Sequence, residues 1–265
     1  MDMMALLAQK KPLLMGILNI TPDSFHDGGC FLTPEKALAQ LKALTDAGAD
    51  IIDIGGASSR PGHTPVDAET ELARILPVLE LARDCPVPLS LDTDKAAVAA
   101  AGLQAGCQII NYTGGRLDEE IFSLAAAGKA PLVVMHCQGE AGRHEDICGE
   151  VAQFFRDNLA LGRKMGLGYG QIILDPGFGF NKNLEENLAL LHELPRLRAF
   201  KHPLLLGFSH KRFVAALSGE APGQAPAGNQ ALALYALLHQ AELLRMHDIA
   251  ETAALIRAAR PLFRL

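Results

Sequence analysis

Short, nearly continuous apolar runs recur eight times along the chain, at residues 13–18, 51–54, 88–91, 108–110, 132–135, 172–174, 203–206 and 243–246. Each has the length of a strand, and the near absence of alternation fits strands buried on both faces. The stretches between them carry helical periodicity. Thr33-Pro34-Glu35 reads as a helix start, with an N-cap hydroxyl, a proline at the first helical position and an acid in the first turn. Leu38, Leu41 and Leu44 recur every third residue, and Ala47-Gly48 closes that helix. A second helix opens at Val66-Asp67 with Leu72, Ile75, Leu76 and Leu79 on one face. A longer one holds Phe154, Phe155, Leu159 and Leu161 and ends near Gly166. Strands alternating with helices imply a parallel sheet. Eight such units in 265 residues predict an α/β fold, a single (β/α)8 TIM barrel forming one domain over residues 1–265, in preference to an open doubly wound sheet. The segment 219–228, rich in Gly, Pro and Ala, reads as a loop within the seventh unit.

Composition narrows the class further. No run approaches the roughly 18 apolar residues of a membrane span, and residues 1–11 lack the apolar stretch of a secretory signal. The net charge of −6 argues against a nucleic-acid backbone as the main ligand, but leaves room for a small anion held by a local group of cations. The five cysteines (Cys30, Cys85, Cys107, Cys137 and Cys148) form no CxxC and read as reduced thiols of a cytoplasmic protein. Trp is absent and aromatics are 5%, so the predicted core is aliphatic.

In a barrel of this kind the active site lies at the carboxyl ends of the strands, and polar groups follow every apolar run. Asn19 follows the first, Ser58-Ser59-Arg60 the second, Asp92 the third and Asn111 the fourth. His136-Cys137, Asp175, Ser209-His210-Lys211-Arg212 and Arg245-Met246-His247 follow the rest. Helix capping accounts for single Ser, Asp or Asn residues in such positions. It does not account for Arg60, Lys211 and Arg245, which carry no side-chain acceptor and oppose the helix dipole. An anionic ligand is the natural counterpart, so Arg245 and His247 read as phosphate ligands together with Arg60. A carboxylate at a buried strand end accepts two N–H bonds from an amidine-like edge. Asp92, Asn111 and Asp175 therefore suit a 2-amino-pyrimidinone heterocycle. His136-Cys137 reads as an inert pair, and Arg143-His144-Glu145-Asp146 as a solvated loop.

The stretch Gly16-Ile17-Leu18-Asn19-Ile20-Thr21-Pro22-Asp23-Ser24-Phe25 resembles the first signature of the dihydropteroate synthases. Asp53-Ile54-Gly55-Gly56 with Ser58-Ser59-Arg60-Pro61-Gly62 resembles the second. Leu174-Asp175-Pro176-Gly177-Phe178-Gly179-Phe180, Ser209-x-Lys211 and Arg245-x-His247-Asp248 resemble later ones, in the family's order and over nearly the whole chain. The resemblance implies an enzyme of folate synthesis. It would join 6-hydroxymethyl-7,8-dihydropterin pyrophosphate to p-aminobenzoate with release of pyrophosphate, using Mg²⁺, as a homodimer. By motif position, Asp92, Asn111, Asp175 and Lys211 would hold the pterin. Arg245 and His247 would hold the pyrophosphate with Asn19, which would also bind Mg²⁺. Ser59 and Arg60 would touch phosphate and p-aminobenzoate, and Phe178, Pro61 and the Lys211 stem would wall the p-aminobenzoate. Asp27, on the first loop, would stabilise the cationic CH₂ left when pyrophosphate departs. Leu232, Leu234, Leu237 and Leu238 are apolar enough for the dimer contact such families make through later helices.

The chain departs from the family pattern in places. Ala57 stands where a glutamate is usual, Asp94 where a hydroxyl residue is usual, and Tyr112 follows Asn111 where an aspartate is usual. His210 and Arg212 replace the arginine and serine of Ser-Arg-Lys-Ser. The small hydroxyl residue usually receives the p-aminobenzoate carboxylate. Arg212 can replace that contact with an ion pair or fill the space. The altered acceptor motif keeps open a pterin-binding paralogue that uses another acceptor or is non-catalytic. More remote is a methyltransferase using a methylated folate.

Overall fold

The computed structural model describes residues 3–8, 12–21, 33–57, 65–221 and 223–263. Eight parallel strands, β1 (Leu13–Asn19), β2 (Ile51–Gly55), β3 (Leu89–Thr93), β4 (Ile109–Tyr112), β5 (Leu132–Met135), β6 (Ile172–Asp175), β7 (Leu205–Leu206) and β8 (Leu243–Met246), form one sheet. Its order is β6-β5-β4-β3-β2-β1-β8-β7. The two outer strands meet where Leu174 N–H donates to Pro203 O at 2.9 Å and Leu174 pairs with Leu204, which closes the barrel. The strands occupy the eight apolar runs, and several run one or two residues further, through Asn19, Asp92, Asn111 and Asp175. The ladder is made by backbone groups, so a polar side chain at the mouth does not end it.

Two apolar layers result. The inner one gathers Leu13, Met15, Ile51, Ile109, Val133, Ile173, Leu205 and Leu243, closed below by Leu6 of α1 (Met3–Leu7). The outer one lies between the strands and α2 (Pro34–Asp46), α3 (Ala68–Leu81), α4 (Ala96–Gln104), α5 (Glu119–Gly128), α6 (Ile147–Lys164), α7 (Leu184–His192), α8 (Leu194–Leu197), α9 (Arg212–Ser218), α10 (Pro226–Leu238) and α11 (Ile249–Phe263). Thr33 caps α2 as its sequence implies, accepting from Lys36 N–H, and Asp67 does the same for α3 through Thr70 N–H. Two loop readings are refined. The segment 219–228 is a loop only up to Ala225, because Pro226 opens α10 with the fixed φ that suits a first turn. In the 143–146 loop, His144 is not solvated. Its side chain is 2% exposed, held by Glu150 at 2.6 Å and by Asn181 O at 2.9 Å.

Candidate active site

Strand alternation builds the site. Ile51, Ile109, Ile173 and Leu243 belong to the inner apolar layer. Two residues further along the same strands, on the same side, stand Asp53, Asn111, Asp175 and Arg245. Asp92 joins them from β3, where it pairs in register with Asn111. A polar tier thus rests on the apolar floor at the carboxyl end of the barrel.

Arg245 organises this tier. Its Nε donates to Asp53 Oδ2 at 2.6 Å and its Nη2 donates to Asp92 Oδ2 at 2.6 Å. Asp53 Oδ2 also accepts from Asn111 Nδ2 at 2.9 Å, and Asp92 Oδ1 accepts from Thr113 Oγ1 at 3.1 Å. Burial of the Asp92 carboxyl, with the Asp53 charge beside it, pushes it up to about 7 even against the pull of Arg245. Burial likewise raises Asp175, partly offset by the Lys211 ammonium and by the Gly177 N–H that donates to its Oδ1 at 2.7 Å. Loss of water around the Lys211 ammonium draws it down to about 7, although Asp175 works the other way. Arg245 is held firmly cationic: burial disfavours its charge, but Asp53 and Asp92 outweigh that.

Lys211 occupies the N-cap position of α9 without capping it, as its lack of an acceptor requires. Its Nζ donates to Phe178 O and lies 4.0 Å from the centroid of the Phe180 ring. The expectation that Phe178 walls an acceptor pocket is corrected. Its ring is fully buried, packed on Phe208 and Phe213, and the half-buried aromatic beside Lys211 is Phe180. The turn at Gly177 and Gly179, both at positive φ, exchanges the outward and inward positions.

His247 lies just past β8 at the same end. Its Nδ1 and backbone N–H both meet Ser209 Oγ, at 3.1 and 3.2 Å, and its ring stacks on His210 at 4.5 Å. His210 Nε2 is anchored by Asp248 at 2.9 Å. Asn19 ends β1 in register with Gly55, half-exposed. Arg212 is exposed at the first position of α9, so it does not fill a pocket. Asp27, Ser59, Arg60 and Pro61 lie outside the described residues.

His136 and Cys137 show no reactive character. Burial lowers the His136 imidazole to about 3 and raises the Cys137 thiol, whose Sγ lies 3.4 Å from Thr113 O. Among the described residues no three His, Cys, Asp or Glu side chains are grouped to hold a metal. Sequence reasoning quoted Asp53 and Phe180 within motifs but gave them no role, and it missed Lys182. A readable signal existed for Asp53, a lone carboxylate inside the apolar run 51–54 of a strand buried on both faces.

Fold and site together define a (β/α)8-barrel enzyme with a buried tier of opposed charges at the carboxyl ends of its strands. The family model for pterin binding enzymes matches residues 15–247. A dihydropteroate synthase of Synechocystis sp. is 39% identical over 264 residues, covering 96% of this chain and 91% of that protein. One of Escherichia coli is 38% identical over 253 residues, covering 93% and 90%. A dihydropteroate synthase of Xanthomonas albilineans, solved with 4-aminobenzoic acid, superposes with a TM-score of 0.91 at 39% identity, covering 96% of this chain and 94% of that one. Another structure of it, in complex with 7,8-dihydropteroate, gives 0.87 at 36% identity over 96% and 95%. The chain belongs to the dihydropteroate synthase family of pterin-binding enzymes.

Proposed function

We propose that this transferase joins 6-hydroxymethyl-7,8-dihydropterin pyrophosphate to p-aminobenzoate, giving 7,8-dihydropteroate and pyrophosphate. The observation that carries the reading is the set of buried Asp92, Asn111 and Asp175 with the half-buried Lys211 beside them. It offers two carboxylates, an amide and an ammonium to a flat ring with N–H groups on one edge and a carbonyl on another. A pterin edge on Asp92 replaces one of the two carboxylate bonds of Arg245. The guanidinium arm freed in this way then serves the pyrophosphate with His247, while Asp53 keeps hold of Nε.

In the reaction the C–O bond to pyrophosphate breaks, the aryl amine nitrogen bonds the pterin CH₂, and that nitrogen gives up a proton. By motif, Asp27 stabilises the cationic CH₂ and Ser59 and Arg60 meet phosphate and acceptor. Arg212, exposed and cationic at the mouth, receives the p-aminobenzoate carboxylate, with Phe180 and the Lys211 stem beside its ring.

Asn19 suits magnesium: it presents a hard amide oxygen at the strand end, and Mg²⁺ commonly takes its remaining ligands from substrate phosphate and water. Bound there, the ion would neutralise charge on the departing pyrophosphate. We also assign a homodimer, supported by the exposed Leu217, Leu238, Leu262 and Phe263 on α9–α11. Leu232 and Leu237, expected at that contact, are instead buried in the chain's own core. No helix among the described residues is long and apolar enough to cross a membrane, and the four described cysteines are unpaired. We place the protein in the cytoplasm, with small-molecule partners. Purified protein incubated with both substrates and Mg²⁺ should release pyrophosphate and form dihydropteroate. Silence at millimolar substrate would overturn the reading.

A further inference from the structure

The turn after β6 is rich in carbonyls that do not enter the barrel ladder. Gly177, Gly179 and Asn181 have φ of 68°, 75° and 47°, so the chain repeatedly reverses its peptide planes there. At Gly177 a Cβ would stand 1.9 Å from His136 O, so only glycine lets the turn press against the end of β5. The carbonyls brought together in this way converge on one cation. Lys182 Nζ donates to His136 O at 3.0 Å, to Gly177 O at 3.0 Å and to Phe180 O at 3.1 Å. An ammonium has three N–H donors, and all three are used. Lys182 is 6% exposed, and burial lowers it to about 8, still above neutrality, with Asp175 helping to keep the proton on.

The same turn carries part of the pterin site. Asp175 begins it and accepts from Gly177 N–H, Phe178 O accepts from Lys211, and the Phe180 ring lies beside the Lys211 ammonium. We infer that Lys182 is a positioning residue: a tethered cation that gathers carbonyls from the ends of β5 and β6 and thereby aims Asp175 and Phe180 at the ligand. The inference rests on the pterin reading of Asp175. A lysine that merely stabilised the fold would be replaceable by any side chain that packs. A cation cage requires a charge of ammonium size, because without it His136 O and Phe180 O lose the donor that gathers them and Gly177 O keeps only the Phe180 N–H at 3.1 Å.

Two variants separate these roles. Lys182→Ala opens a space lined by the three carbonyls, and Lys182→Met keeps the stem's packing without the charge. Calorimetry with the pterin pyrophosphate should show binding weakened at least about 10-fold in both, and the KM for p-aminobenzoate should rise as well, because Phe180 stands beside that ring. Ammonium chloride should restore much of the affinity of Lys182→Ala and raise its ligand-free melting temperature. Tetramethylammonium chloride should do neither, and Lys182→Met should not respond to ammonium. A Lys182→Ala protein that folds only in ammonium also supports the cage. Parental pterin affinity in either variant, or a Lys182→Ala protein whose melting and binding are both indifferent to ammonium, would overturn it. If the parent itself fails to bind the pterin, the ligand reading falls, while ammonium-dependent melting still judges the cage.

Discussion

Arg245 on β8 donates from Nη2 to Oδ2 of Asp92 on β3 at 2.6 Å, linking strands separated by two others in the sheet. The bond and its partner to Asp53 place one guanidinium between two carboxylates that are 9% and 0% exposed. Replacing Arg245 with Met leaves both charges in the barrel without their cation. Breaking a buried pair in this way costs about 3–5 kcal/mol. The sign of its pH dependence follows from the carboxyls. Without Arg245 the folded value of Asp92, already raised by burial, rises further, so the folded state holds that proton more tightly and the variant recovers stability as pH falls. Urea unfolding of Arg245→Met should show the full loss at mildly alkaline pH and a smaller one in mild acid. A loss independent of pH would contradict this account.

Asp53 touches no ligand in the proposed reaction, yet one of its oxygens accepts from both Arg245 and Asn111. Asp53→Asn keeps the shape and removes the charge, which frees Arg245 to swing and leaves Asn111 unsupported. The pterin pyrophosphate should bind about 10–100-fold more weakly, as for other groups that orient a ligand-binding shell. The KM for p-aminobenzoate should hardly move. An equal effect on both substrates would mean general disruption and not loss of orientation.

Pterin affinity should also pass through a maximum near neutral pH. Asp92 must be ionised to accept N–H bonds, and it is pushed up to about 7, so binding weakens as pH falls below that value. Lys211 must be protonated to donate to a ring carbonyl, and it is drawn down to about 7, so binding weakens as pH rises above it. Calorimetric titration across this range checks both limbs. Lys211→Met should bind weakly and lack the alkaline limb, and a monotonic parental curve would exclude the pair as the controlling groups.

The eight strands were legible because a strand buried on both faces leaves a continuous apolar run, and all eight runs became strands of the barrel. Asp92, Asn111, Asp175 and Arg245 were legible as polar residues ending such runs. Their mutual pairing was not, because the contact between Arg245 and Asp92 depends on barrel closure across 153 positions of sequence. Asp53 sat inside a run, and although it stood in a quoted motif it received no role for that reason. Phe178 and Phe180 stand two apart in one motif, each after a glycine, and only the left-handed turn at Gly177 and Gly179 decides which ring is buried. Lys182 has no periodic signature at all, since its partners are backbone carbonyls, which every residue possesses.

Arg212 tests the acceptor side. It is exposed at the start of α9, and a carboxylate can reach it there without displacing an ion pair to any of the described residues. An exposed charge-assisted contact is worth about 1 kcal/mol, or roughly fivefold. Arg212→Ala should therefore raise the KM for p-aminobenzoate by about that factor and leave pterin binding unchanged. If Arg212→Ser instead improves turnover of p-aminobenzoate, the arginine obstructs the acceptor and does not receive it.

His136 makes the acid limb of stability measurable. It is 1% exposed, its Nδ1 has no hydrogen-bond partner, and burial lowers it to about 3 from an ordinary 6.5. Between those values the unfolded chain takes up a proton that the folded chain refuses. The contribution of the neutral ring is complete above about 6.5 and is lost as pH falls toward the folded value, at about 1.4 kcal/mol per pH unit. Asp92 and Asp175, both raised, bias stability the opposite way, so the slope of the parent alone mixes the two effects. His136→Phe separates them. It retains a ring beside Phe154, whose centroid lies 5.4 Å away, and it cannot take a proton. The difference in unfolding free energy between parent and variant should therefore change across mild acid with the slope given above and stay flat from neutrality upward. A difference that stays constant through the acid range would place the His136 titration in the folded state near its ordinary value, which an open water path to the ring would require.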